Sequence, residues 1–406
     1  MKHVYLDNAS TTALAPQVWE KAQPYFTTHF GNAASIHAFG QFTKNILEES
    51  RERVATLLGA SPSEIFFTSG GTEANNFALK GFAFAMAQAK RPFRIISSHL
   101  EHKAVLESLT WIKKFFGTPL FFVEHDKRGT LNLESLKSML RRGDSQTATI
   151  VSIMHANNEL GNINPIEEIA HLSKEYGAFF HTDAVQTAGK LPIHAGNLGV
   201  DMLTISGHKF HGPKGIGVLY LRRGVPIEPL LHGGTHERNR RAGTENYAFA
   251  FMLAEALHLA MESVADTTSH IQTLRETFLS QLEQHRIDFE VNGHVAHALP
   301  HILNLTFSLD AARKMAADVL VLALDASGVA VSSGSACTSG TEKPSHVLLA
   351  LGKSEQEARA SVRFSFSKFN TVAEVAEAAQ RTAAVVRRLL SASSAAMDEF
   401  QSPQPS

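Results

Sequence analysis

The 406-residue sequence has a single cysteine, Cys337. One thiol cannot close an intrachain disulfide, and it rules out a zinc site built on several cysteines. The residue itself can be read as a small buried hydrophobe or as a reactive thiol. Charge of one sign is also missing: 38 basic and 39 acidic side chains leave a net charge of -1, so nothing electrostatic points to nucleic acid or to an acidic membrane surface. Long hydrophobic runs are absent too. The longest, near Val319 to Val331, is interrupted by Asp325 and is too short to span a bilayer. The opening residues Met1-Lys2-His3-Val4-Tyr5-Leu6-Asp7 have no apolar core of the secretory kind, and a cytoplasmic location is expected. No internal repeat or low-complexity block interrupts the chain.

What is present is a chain too long for one hydrophobic core, so a large domain with a smaller one is expected. From Ser63 to Leu221 short β-rich runs alternate with helical patterns. Strands are expected at Phe93–Ser97, Leu120–Glu124, Thr149–Met154, Ala178–Thr182, Met202–Ser206 and Gly217–Leu221, with helices at Lys103–Phe116, Leu133–Arg142 and Ile166–Tyr176 among them. That alternation predicts an α/β fold with a mostly parallel, doubly wound sheet, whose function gathers at the carboxyl ends of its strands. After Glu245 long helical stretches come first, then strands such as Ile302–Thr306 and Val362–Phe366, which predicts a smaller α+β domain. Residues 391–406 are rich in Ser, Ala and Pro and read as a flexible tail.

Three features carry chemistry. Ser206-Gly207-His208-Lys209 follows a strand, and the run Gly207 to Gly217, with Gly212, Pro213 and Gly215, shapes backbone as well as solvating a charge. A second strand ends on an acid, Phe179-Phe180-His181-Thr182-Asp183. A lysine and a carboxylate at strand ends are what a pyridoxal 5'-phosphate (PLP) enzyme needs: the amine bonds the cofactor and the carboxylate keeps the pyridine nitrogen protonated. Thr68-Ser69-Gly70-Gly71-Thr72-Glu73-Ala74-Asn75 lies between a strand and a helix. It reads either as a plain helix start or as a phosphate cradle of backbone N–H groups with the Thr72 hydroxyl. It lacks the lysine of a nucleotide-triphosphatase loop.

These motifs join Tyr5-Leu6-Asp7-Asn8, Glu101-His102-Lys103-Ala104-Val105, His155-Ala156-Asn157-Asn158-Glu159-Leu160-Gly161, His181-Thr182-Asp183-Ala184-Val185-Gln186, Arg241-Ala242-Gly243-Thr244-Glu245-Asn246 and Ser332-Ser333-Gly334-Ser335-Ala336-Cys337-Thr338-Ser339. In order and spacing, over residues 4 to 390, the set resembles the cysteine desulfurases. The cysteine segment is similar to that of their long-loop group, the housekeeping and nitrogen-fixation type, and the Arg-X-Gly-His-X-Cys pattern of the other group is absent. Ala33 stands where proline is usual.

The resemblance implies a fold-type-I PLP-dependent transferase: a large domain, 14–250, with a mostly parallel seven-stranded sheet, and a smaller α+β domain, 1–13 with 251–390, carrying the cysteine loop. It implies Lys209, Cys337 and His102 as catalytic groups. Lys209 would hold the cofactor, His102 would stack on its ring, Asp183 would partner the pyridine nitrogen and Gln186 the ring oxygen. Gly71, Thr72, Ser206 and His208 would cup the phosphate, with Thr244 reaching it from the other subunit of a homodimer. Asn158 and Arg363 would hold the substrate carboxylate, Asn158 also touching the cofactor. Read alone, Arg363 in Ser361-Val362-Arg363-Phe364-Ser365 would be a surface charge on a strand. The implied reaction converts L-cysteine to L-alanine with a persulfide on Cys337, for iron–sulfur cluster assembly or tRNA thiolation. The partner would be a sulfur acceptor such as an iron–sulfur scaffold or a sulfur-relay protein, with no direct contact to nucleic acid or membrane. A free thiol is only about 3% thiolate at neutral pH, so the site must deprotonate it. Competing readings are a selenocysteine lyase or aminotransferase of the same fold, and an inactive paralogue serving as a binding scaffold.

Overall fold

A computed structural model describes residues 3–308, 314–333 and 344–401. A short strand, β1 (Val4–Tyr5), opens it. The next seven strands, β2 (Ile65–Thr68), β3 (Phe93–Ser97), β4 (Leu120–Phe122), β5 (Ala148–Ser152), β6 (Phe179–Asp183), β7 (Met202–Ser206) and β8 (Gly217–Leu221), form one sheet in the order β2-β8-β7-β6-β5-β3-β4. Every neighbouring pair is parallel except those of β8, which runs against both β7 and β2. β2, β3, β5, β6, β7 and β8 are buried at nearly every position, as sheets with helices on both faces require. One face packs under Ala38–Leu57 and Tyr247–Glu262, the other under Gly71–Gln88 and Lys103–Phe116.

The second core is built on β9 (Phe289–Val291), β10 (Ile302–Phe307), β11 (Val329–Ala330) and β12 (Ser361–Ser365). β10 sits between β9 and β12, antiparallel to both, while β1 and β11 pair in parallel. Phe278, Phe307, Phe364 and Phe366 fill this core with Val4 and Leu6 of the amino-terminal segment. The chain then crosses to the sheet-bearing core, which it joins at Ala15 and Val18. Residues 7 to 12 therefore run between the two cores.

Two boundaries differ from the sequence reading. The large unit does not end at residue 250, because helix Tyr247–Glu262 gives Ala250, Leu253, Leu257 and Ala260 to the sheet-bearing core. Its apolar face packs on Ala38–Leu57, and Ile271 is the first later residue to join the second core. The tail expected from residue 391 is helical as far as Gln401, continuing the helix that starts at Val372. The segment has no glycine or proline before Pro403, and alanine is the strongest helix former. Among the described residues no single helix is long and apolar enough to cross a membrane.

Candidate active site

Strands β2, β3, β5, β6 and β7 all lead at their carboxyl ends into one cavity of about 430 Å³. Ten of the twelve residues expected at the site line it: Gly71, Thr72, His102, Asn158, Asp183, Gln186, Ser206, His208, Lys209 and Arg363. Cys337 lies outside the described residues. Thr244 is exposed and does not line the cavity of its own chain.

After β7 the chain tightens into the turn Gly207–Lys209, closed by hydrogen bonds from the Phe210 and Gly212 N–H groups to the Gly207 carbonyl. The turn turns Lys209 toward the amino-terminal crossing, where its Nζ donates to the carbonyls of Ala9 at 2.6 Å and Ser10 at 2.7 Å. Burial first, and Arg363 second, push the ammonium down to about 8, against the pull of Asp183 and Asp7. Asp183 ends β6 and is itself held: Asn75 Nδ2 donates to Oδ2 at 2.6 Å and the Val185 N–H to Oδ1 at 3.0 Å. Asn75 was not anticipated. It lies one turn beyond Gly71 on the same helix, so the quoted motif already held the clue.

Gly70 and Gly71 let the helix Gly71–Gln88 begin at the cavity wall. Gly70 has φ +150, and a Cβ on Gly71 would stand 2.8 Å from Val185 Cγ2. His102 caps the helix Lys103–Phe116, its Nδ1 accepting from the Ala104 N–H at 3.1 Å, which leaves the proton on Nε2. Burial holds its imidazole below the usual value, Lys209 adding to the effect and Asp183 opposing it. His208 pairs with Thr11 Oγ1 at 3.1 Å, and burial with the neighbouring lysines pushes it down to about 4. Both histidines are neutral at neutral pH.

Arg363 is not on the surface. It is 3% exposed and reaches from β12 into the cavity wall. Nη1 donates to the Asn158 carbonyl at 2.8 Å, and Nη2 donates to Asp7 Oδ1 at 3.0 Å and Ser10 Oγ at 2.6 Å. Buried polar atoms without a partner among the described residues gather at this cavity: Arg363 Nε, Gln186 Oε1 and Asn75 Oδ1. An unmatched buried polar atom costs about 1–3 kcal/mol, so this wall is shaped for a polar guest. Further lining groups that the sequence did not single out for a role here are Ser10, Glu159 and His346. Glu159 is buried, accepts from Ser345 Oγ, and is raised above the usual carboxylate range by that burial.

Comparison with known proteins decides the family. Residues 4–377 match the aminotransferase class-V family. A cysteine desulfurase IscS of Dictyoglomus turgidum is 43% identical over 370 residues, 91% of each chain. The chain belongs to the cysteine desulfurases of the aminotransferase class-V family. A cysteine desulfurase IscS of Methanosarcina thermophila is 39% identical over 400 residues, 98% of this chain and 96% of that one. A solved NifS-like protein superposes with a TM-score of 0.85 at 35% identity, covering 95% of this chain and all of that one. The fold is the fold-type-I PLP-enzyme fold, and the family depends on PLP.

The residues fit that cofactor. The cavity offers a half-buried amine of lowered proton affinity, a carboxylate fixed by two donors, a glycine-opened helix start and an amide oxygen on Gln186 that has no partner among the described residues. A phosphate suits the helix start, and a protonated pyridine nitrogen suits Asp183.

Proposed function

We propose that the chain converts L-cysteine to L-alanine and leaves the sulfur as a persulfide on Cys337, for hand-over to an acceptor protein. The observation that carries this reading is the convergence of Lys209, Asp183 and Arg363 on one cavity at the strand ends. In this reading Lys209 bonds the cofactor and Asp183 pairs with its ring nitrogen. Gln186 faces the ring oxygen and His102 its face. Gly71, Thr72, Ser206 and His208 receive the phosphate.

Arg363 and Asn158 hold the substrate carboxylate. The guanidinium plane is already fixed by Asp7, Ser10 and the Asn158 carbonyl, so little ordering remains when a carboxylate arrives. Lys209 then takes the proton from the substrate α-carbon. A lysine held near 8 suits this work, because an appreciable share of it is unprotonated near neutral pH. PLP, when bound, accepts the electron pair released at that carbon. His102, neutral and with its proton on Nε2, is suited to shuttle protons between the sulfur and the carbon skeleton. The Cys337 thiolate attacks the substrate sulfur, a sulfur–sulfur bond forms and the carbon–sulfur bond breaks. Its electron pair stays with the three-carbon skeleton, which takes up protons and leaves as alanine. One thiol and one cysteine thus give one persulfide and one alanine, with no outside oxidant or reductant.

The enzyme works as a cytoplasmic homodimer in this proposal. Trp19, Phe26, Phe30, Ile36, Phe39 and Phe42 are all exposed within one amino-terminal stretch, and an apolar patch of that extent supports a subunit interface. Thr244, exposed and away from its own cavity, suits a group that reaches the partner's phosphate. A cytoplasm keeps a lone reactive thiol reduced. The acceptor would be an iron–sulfur scaffold or a sulfur-relay protein. Purified holoenzyme given L-cysteine and a thiol reductant should release alanine and sulfide in equal amounts, and Lys209→Ala should release neither. Formation of a keto acid in place of alanine would turn the assignment toward an aminotransferase.

A further inference from the structure

Lys209 lines a second cavity, of about 40 Å³. A single water needs roughly 10–15 Å³, so the space takes a small guest. Its walls bring together Lys190, Lys209 and Lys368 with His211 and His301, and no carboxylate is among the described residues that line it. Lys190 Nζ has one hydrogen bond among the described residues, to the Gln186 carbonyl at 3.2 Å. His301 is 2% exposed, and its Nε2 is buried with no hydrogen-bond partner among the described residues. His211 is satisfied without the cavity: Nδ1 lies 2.9 Å from the Ala13 carbonyl and Nε2 3.3 Å from Ser367 Oγ. The rest of the wall mixes apolar Ala260, Ile271 and Phe366 with the hydroxyl side chains of Thr12, Ser263, Thr267 and Ser367.

Buried cations without a counter-charge either give up their protons or acquire an anion. We propose that this cavity is a binding site for a monovalent anion of halide size, held by the ammonium of Lys190 and the Nε2–H of His301. A halide suits it because the guest must be small, needs only donors, and tolerates a partly apolar wall. The protein alone shows the cost of leaving the cavity without a negative charge. Lys190 is pushed down to about 7 by burial and by Lys209, and His301 lies well below its usual value through burial, with Lys190 next. An anion there stabilises the protonated lysines. It ties the proton affinity at the Lys209 position, which also lines the reaction cavity, to halide concentration.

The test uses PLP-loaded enzyme. Crystals soaked in sodium bromide should show an anomalous scattering peak in this cavity within hydrogen-bond distance of Lys190 Nζ and His301 Nε2. In solution, the pH midpoint of the cofactor's absorbance change should rise in chloride relative to gluconate at equal ionic strength. The expected rise is about half a unit, a threefold change in proton affinity. Lys190→Met should abolish the chloride effect. A cavity holding only water in the bromide crystals overturns the site. Identical wild-type midpoints in the two salts overturn its occupancy in solution. Both decisions rest on wild-type protein, so they stand even if Lys190→Met does not fold.

Discussion

Replacing Arg363 by lysine separates geometry from charge at the substrate end of the cavity. Three contacts fix the guanidinium: Asn158 O at 2.8 Å, Asp7 Oδ1 at 3.0 Å and Ser10 Oγ at 2.6 Å. Its Nε is buried with no partner among the described residues. A carboxylate docking on this fork meets a charged donor plane already in place. Lysine keeps the charge but loses the plane and the contacts that lock it. A hydrogen bond to a charged group is worth about 1.5–3 kcal/mol, so losing one at the substrate lowers kcat/KM by about 10- to 150-fold. The loss should fall mainly on KM, because the clamp grips the carboxylate equally before and during reaction. Bound PLP should keep its absorbance, since Asp183, Gln186 and Lys209 are unchanged. Initial rates of alanine formation against cysteine concentration measure this, with an absorbance spectrum of the same preparation. A wild-type KM in Arg363→Lys would refute the clamp, and a lost cofactor spectrum would show that Arg363 acts on the cofactor pocket.

If Lys209 bonds PLP as proposed, it does so only as the free amine, and its ammonium is pushed down to about 8. The rate of PLP uptake by cofactor-free protein should therefore climb with pH up to about 8 and then level off, whereas an ordinary lysine near about 10.4 would keep climbing; rapid-mixing absorbance distinguishes the two. Glu237 grips Arg51 through two 2.8 Å contacts, with both side chains buried, and also accepts from the Phe67 N–H at 2.9 Å. Glu237→Ala leaves the buried arginine with only the half-exposed Glu48, 3.3 Å from its Nε, as counter-charge, so urea unfolding should show a loss of about 3 kcal/mol, and a loss under about 1 kcal/mol would mean the pair behaves as a surface bridge. Mixing Thr244→Ala with Lys209→Ala subunits should yield heterodimers with one fully native site. PLP retention after dialysis should recover in that mixture, and no recovery would place Thr244 in its own subunit's site.

The sheet was legible because its strands are short apolar runs separated by clear helical patterns. β7 and β8 match the expected Met202–Ser206 and Gly217–Leu221 residue for residue. The boundary at residue 250 failed because an apolar helix looks the same whichever core buries it, and only the packing of Leu253 and Leu257 assigns it. The helix through Ser391 to Gln401 is masked by a Ser-, Ala- and Pro-rich composition that reads as a tail, although its alanines favour helix. At the site, Lys209, Asp183 and His102 stood in recognisable motifs. Asn75 stood at the end of another, with no sign in the sequence that it would reach Asp183. Arg363 shows where pattern reading alone stops: an arginine between two apolar residues on a strand reads as solvated until Asp7 and Ser10 arrive from 350 or more positions away in sequence. Lys190, His301 and Glu237 gave no local signal, since their meaning lies wholly in what surrounds them after folding.

The most direct test of the account is the fate of sulfur on the one cysteine. After a brief pulse of L-cysteine, intact-mass measurement of the holoenzyme should find one added sulfur atom, mapped by digestion to Cys337 and removed by reductant. Cys337→Ser should bind PLP with an unchanged spectrum, gain no sulfur and lose turnover, because a hydroxyl is far less acidic than a thiol and a poor nucleophile toward sulfur. Alanine and sulfide produced by Cys337→Ser at the wild-type rate would contradict the account.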